Sequence, residues 1–177
     1  MTEAIEIPSA TQDPKAYVDA LLATLGDRDP LEVLRAMPAV AGRTVEGLTA
    51  EQWARPLGPG EWSAAQVLGH LFDVDLVYGF RWRLTLTEER PSYPGYDEKR
   101  FAELPKPAGS ELLAVWERLR AANLALLAGT PRSAWERRGV HAEQGEEPFA
   151  LMVAKVAGHD LAHLNQLQRT VESARSA

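Results

Sequence analysis

The sequence predicts an all-α protein, an antiparallel four-helix bundle with one long crossover connection. Three observations point there. Apolar residues recur with the helical period along almost the whole chain, the helix starts carry proline and capping signals, and no stretch alternates convincingly as a strand. The 177 residues suit one domain that can bury a real core. That domain is expected to span 1–177, with its helical core at about 13–172 and flexible ends.

The elements follow in order. Asp13-Pro14 is an N-cap with proline at the first helical position; Tyr17, Val18, Leu21, Leu22 and Leu25 make the stripe, and Gly26 stops it. Asp29-Pro30 repeats the signal for a helix through Leu31, Leu34 and Met37, which Pro38 is expected to kink or break. Thr49 with Gln52 caps a short turn around Trp53, and Pro56-Leu57-Gly58-Pro59-Gly60 reads as a loop. Ser63 and Gln66 form a capping box for the next long helix, and Trp62 can staple onto Val67. Its stripe reads Val67, His70, Leu71, Val74, Val77, Tyr78, Arg81, with an end near Leu86.

From Pro91 to Pro107 the chain is rich in proline and aromatics, with a short turn expected at Asp97 to Phe101. Connections of that length in a helical domain are often functional. The third long helix starts at Ser110, carries Leu113, Trp116, Leu119, Asn123 and Leu127, and ends at Gly129-Thr130-Pro131. A polar stretch from Ser133 to Glu147 follows, with a short strand pairing conceivable near Gly139 to His141. The last helix runs from near Pro148 to about Thr170. Bundle cores built this way are common places for metal sites.

Composition narrows the function. The net charge is −6, and no Lys/Arg-rich run marks a nucleic-acid or anionic-membrane partner. With no cysteine, disulfides, zinc ribbons and protein-thiol catalysis are excluded. No apolar leader or membrane-length run is present, so a cytoplasmic protein acting on a small molecule is expected.

The chain has four histidines. His159 and His163 are four residues apart on the stripe Met152, Val156, His159, His163, Leu167, so both rings share one helical face. His70 lies between Val67 and Val74 on another apolar stripe. An unpaired imidazole in a core costs about 1–3 kcal/mol, so three of them are poorly explained by packing. If the two helices face each other, three neutral nitrogens can hold a metal that keeps an open position, as in catalytic zinc sites. His159-Asp160-Leu161-Ala162-His163 is like H-E-x-x-H, but Asp160 replaces the general-base glutamate and no third histidine follows, which argues against a metalloprotease.

Gly60-Glu61-Trp62-Ser63 leading to Leu68-Gly69-His70-Leu71, with Asp73 and Arg81, resembles the DinB/YfiT-like superfamily. So do Tyr96-Asp97-Glu98, Gly139-Val140-His141 and His159-Asp160-x-x-His163-x-x-Gln166. The resemblance covers about Leu31 to Thr170. It implies an up-down-down-up bundle and a divalent metal held by His70, His159 and His163. Relatives of that kind include transferases and isomerases that use bacillithiol or mycothiol, and a domain in ergothioneine synthesis. The implied activity is a metal-dependent transferase that brings a low-molecular-weight thiol to a small electrophile; the alternative is a non-catalytic, stress-related metal-binding bundle. Zinc is the first choice of metal and nickel the second, since imidazole suits both. No side chain is assigned as catalytic; the reactive group would be water or thiolate at the metal. A homodimer is expected from the same resemblance.

The remaining candidates carry two readings each. Asp73, one turn after His70, either orients a ligand imidazole or is a solvated carboxylate. Gln166 either bonds His163 or makes a bundle contact. Asp160, about 100° around the helix from His159, is read as structural or supporting rather than catalytic. Arg81 returns to the His70 face about 16 Å further along, and either binds the carboxylate of a thiol cosubstrate or pairs with Asp97, Glu98 or another acidic residue of the crossover. His141 is read as an exposed loop residue, and Tyr96 and Asp97 as anchors of the crossover. The five tryptophans are taken as core and staple residues.

Overall fold

The first five helices each start at a side chain that caps them. The computed structural model describes residues 3–176. Asp13 opens α1 (Pro14–Leu25) and Asp29 opens α2 (Pro30–Val45), each followed directly by proline. Thr49 and Ser63 form complete capping boxes at α3 (Ala50–Ala54) and α4 (Ala64–Thr87), and Asp97 caps α5 (Glu98–Ala102). Gly26 takes a positive φ of 59° and ends α1. Two long helices complete the chain, α6 (Gly109–Gly129) and α7 (Phe149–Ser176).

Helices α2, α4, α6 and α7 form the bundle, and side-chain contacts set their directions. His70 faces His159 while Thr85 meets Met152 (3.8 Å), so α4 and α7 are antiparallel. Trp116 reaches Asp75 and Arg83 reaches Asn123 (3.1 Å), so α4 and α6 are parallel. Leu34 and Asp160 share Arg120, and Arg175 bonds the Glu46 carbonyl (2.7 Å), so α2 and α7 are parallel. The order is up-down-down-up. Two parallel neighbours in sequence oblige the intervening chain to travel back along the bundle, which explains the long crossover.

That crossover is tied down by a three-stranded sheet of order β1-β2-β3. Strand β1 (Ser92–Tyr93) pairs parallel with β2 (Arg138–His141), which pairs antiparallel with β3 (Gly145–Pro148). The short pairing read near Gly139 is thus part of a sheet that also holds Tyr93 against His141. β1 was not legible: two residues carry no period.

Two expectations are corrected. Pro38 does not break its helix; α2 continues to Val45. Proline removes the N–H that would bond the Leu34 carbonyl, and Arg120 Nη1 donates to that carbonyl instead (3.0 Å). The buried face of α6 is Leu112, Trp116, Arg120, Asn123 and Leu127, with Leu113 and Leu119 only half-buried. Leu112 and Arg120 take the places of Leu113 and Leu119, while Trp116, Asn123 and Leu127 remain on the buried face. Pro148 ends β3, so α7 begins one residue later than its proline signal and continues to Ser176.

Residues 3–12 do not form a helix but run across α7, where Ile5 N–H donates to Asn165 Oδ1 (3.0 Å) and Asn165 Nδ2 donates to the Glu3 carbonyl (2.7 Å). Residues 1, 2 and 177, the extreme ends of the expected flexible termini, lie outside the described residues. Among the described residues, no helix is long and apolar enough to cross a membrane.

Candidate metal centre

Antiparallel packing of α4 on α7 places His70 against His159 and His163. His70 Nε2 and His159 Nε2 are 3.0 Å apart, and one nitrogen from each of the three rings lies within 4.8 Å of the others. The ring centroids are separated by 4.3–4.9 Å. Trp62, just before the Ser63 cap, covers the group: its ring is 4.9 Å from His70 and stacks at 6.0 Å on His163. Trp62 therefore shields the imidazoles. Gly158 permits the close approach on the other side, because a Cβ there would lie 2.1 Å from the Leu21 carbonyl oxygen of α1.

The three rings are electrically neutral. Burial pushes His163 down to about 4, and pushes His70 and His159 well below the usual histidine value, with the neighbouring imidazoles adding to the effect. Gln166 Oε1 accepts from His163 Nδ1 (2.8 Å), leaving the lone pair on Nε2. His70 Nδ1 and His159 Nδ1 are buried without a hydrogen-bond partner.

This donor set fits a divalent transition metal. Three neutral imidazole nitrogens suit zinc or nickel, whereas magnesium and calcium take oxygen. Zinc–nitrogen bonds are about 2.0–2.1 Å, so nitrogens grouped this closely need only small rotations to share one ion.

The other candidates sort clearly. Asp73 neither orients an imidazole nor is solvated: it is 5% exposed and pairs with Lys106 Nζ (2.9 Å), which also donates to the Phe101 carbonyl (2.5 Å). It fastens the end of the crossover to α4 beside His70. Asp160 is fully buried in an ion pair with Arg120 (2.7 Å). Burial pushes its carboxyl up to about 6 against the pull of Arg120. Among the described residues Arg81 forms no ion pair with Asp97, Glu98 or another acid of the crossover; it donates a hydrogen bond to the Pro94 carbonyl (2.6 Å). His141 is corrected from an exposed loop residue to a buried one, 5% exposed on β2.

Arg120 was not singled out in the sequence, yet it ties all four bundle helices together. From α6 it donates to Asp75 of α4 (2.7 Å), Asp160 of α7 (2.7 Å) and the Leu34 carbonyl of α2 (3.0 Å). Trp116 Nε1 and Asn123 Nδ2 complete the partners of Asp75. Burial opposes the charge of Arg120, but the two carboxylates outweigh it and hold the guanidinium firmly protonated. The available signal was its place in an i, i+3, i+4 series with Trp116, Asn123 and Leu127.

His159 and His163 open onto a cleft of about 940 Å³, and the strap of residues 5–11 forms part of its wall. Arg81, Tyr96, His141 and Lys155 line the same cleft.

The sequence profile of the DinB superfamily matches residues 34–167. A Bacillus subtilis (strain 168) relative, provisionally named metal-dependent hydrolase YfiT, is 32% identical over 148 residues, covering 78% of this chain and 82% of its own. A relative from Oceanobacillus iheyensis, provisionally named in the same way, is 29% identical over 133 residues, covering 72% of this chain and 75% of its own. The solved structure of YfiT from Bacillus subtilis, described as a four-helix bundle of unusual topology, superposes with a TM-score of 0.74 at 28% identity. The match covers 92% of this chain and 88% of that one.

Proposed function

The chain belongs to the DinB superfamily, and from that membership we propose a divalent-metal-dependent enzyme that activates a small nucleophile at His70, His159 and His163. The observation that carries the proposal is the convergence of three neutral imidazoles, His70 and His159 buried and His163 half-buried, of which His159 and His163 line a large cleft, with no carboxylate or thiolate in the group. A divalent ion held by neutral ligands keeps its full charge and lowers the pKa of a nucleophile beside it.

The protein's own contribution is positional. Gln166 orients His163, Trp62 keeps water off the back of the rings, and the Arg120–Asp160 pair holds the register of α7 next to His159. Ligand rings fixed by outer contacts of this kind bind metal more tightly. Zinc is the proposed ion, with nickel second.

Hydrolysis, with water as nucleophile, is the reading that the names of the relatives support. The size of the cleft favours a second one. About 940 Å³ accommodates a cosubstrate beside an electrophile, as transfer of a low-molecular-weight thiol requires; the chain has no cysteine of its own to serve. The test has two parts. Elemental analysis of protein purified without an affinity tag should find one transition-metal ion per chain. The loaded protein is then screened with ester, amide and halide substrates, with and without biological thiols. Turnover without thiol identifies a hydrolase, and turnover only with thiol a transferase. Stoichiometric metal without turnover in either arm favours a non-catalytic metal-binding bundle, and absence of metal refutes the site.

A further inference from the structure

Around Arg81 the cleft carries hydrogen-bond donors that metal binding leaves unused. Arg81 is 3% exposed and lines the cleft. Its guanidinium carbon lies 5.1, 5.0 and 5.9 Å from the ring centroids of Tyr78, Tyr93 and Tyr96. One hydrogen bond, to the Pro94 carbonyl, fixes its direction, and among the described residues no carboxylate forms an ion pair with it. A charge this deep is costly unless something pairs with it. Lys155, by contrast, is matched by Glu147 and Gln144.

Two neutral donors accompany Arg81. The Tyr96 hydroxyl is buried without a partner, and burial keeps it protonated. His141 Nδ1 accepts the backbone N–H groups of Glu143 (3.2 Å) and Gln144 (3.3 Å), which places the ring proton on Nε2. Both residues line the same cleft. Glu98 is the acid nearest in effect, and burial pushes it up to about 6 against the pull of Arg81.

We infer that this part of the cleft is an oxyanion subsite, built by Arg81, Tyr96 and His141, that receives the carboxylate or phosphate of a substrate whose reacting group sits at the three histidines. The inference rests on the metal-centre reading for the second half of that statement only. Eleven residues separate His70 from Arg81 on α4, about 16 Å of helix axis.

Ligand-observed NMR tests it with inorganic phosphate and with hexanoate, on metal-free and zinc-loaded protein. The wild type should bind one oxyanion in both forms, and the tighter of the two probes identifies the group. Arg81→Gln should weaken binding by about tenfold or more, because a charge-assisted bond is lost. Arg81→Lys should lie between, and Tyr96→Phe should cost a few-fold. Circular dichroism checks the fold of each variant. Equal affinity in wild type and Arg81→Gln overturns the inference, as does binding that appears only with zinc. If Arg81→Gln does not fold, unchanged affinity in both Arg81→Lys and Tyr96→Phe overturns it. Zinc-independent binding by a protein that takes up no metal refutes the metal centre and leaves the subsite standing.

Discussion

Each imidazole in the triad is held neutral by burial but steered by different neighbours. His163 has Gln166 on Nδ1, whereas the Nδ1 atoms of His70 and His159 have no partner. His163→Ala leaves two ligands and should abolish stoichiometric metal binding, while the packed apolar faces keep the protein helical; metal titration with circular dichroism reads both. Gln166→Ala retains the ligand and loses its orientation, so metal affinity should fall about 10–100-fold. The pH response follows from the same burial. His163 and His141 are lowered to about 4, and His70 and His159 well below their usual value. From pH 7.5 to 6 the unfolded chain takes up protons that the folded chain refuses, so stability falls as pH falls. Asp160 and Glu98, raised to about 6, act in the opposite sense, but they are two groups against four histidines and reach only half-protonation at pH 6. The metal-free protein should thus melt several degrees lower at pH 6 than at 7.5; an unchanged or rising midpoint contradicts this account.

At the scale of elements, the decisive group is Arg120. Replacing it with Met leaves Asp75 and Asp160 as buried carboxylates without their cation, and the Leu34 carbonyl without a donor. Breaking a buried pair on one side costs about 3–5 kcal/mol, so Arg120→Met should shift the urea midpoint by a corresponding amount. A loss below about 1 kcal/mol would show the network to be dispensable. The same residue explains why Pro38 is tolerated: the missing backbone bond is replaced from another helix. Proline rules read the local ladder correctly, but the outcome depended on a guanidinium from α6, 86 residues away in sequence.

Across the whole molecule, the N-terminal strap lies over the cleft that the bundle creates. It is pinned by Asn165, two residues beyond His163, through one bond in each direction. Truncation to Gln12 removes no helix and should leave the bundle folded, yet it opens one wall of the cleft. Metal extraction by a chelator should then be faster than from the full chain, and Asn165→Ala should give part of the same increase. Equal extraction rates in all three proteins would show that the strap does not restrict access.

Much of this was legible before the chain was folded. The helix starts at Asp13, Asp29 and Ser63 were readable because capping is local, involving side chains and amides two or three residues apart. The shared face of His159 and His163 followed from the helical period alone, and the crossover from its length and proline content. Where the rings meet was not local. His70 reaches His159 because α4 runs antiparallel to α7, and Arg81 reaches Tyr96 and His141 because the crossover returns along α4 and is stitched to β2. Periodicity says which face is buried, but polar groups on that face acquire partners only from other elements. Thus the stripe on α6 was read through Leu119 rather than Arg120, His141 was placed in solvent, and neither reading of Asp73, imidazole partner or solvated carboxylate, included Lys106. The sequence by itself determined the helices, their inward faces and the histidines upon them. Tertiary structure decided how the buried charges of Asp73, Asp75, Arg120, Lys155 and Asp160 are paired, because burying an ion is costly unless another element supplies its counterpart.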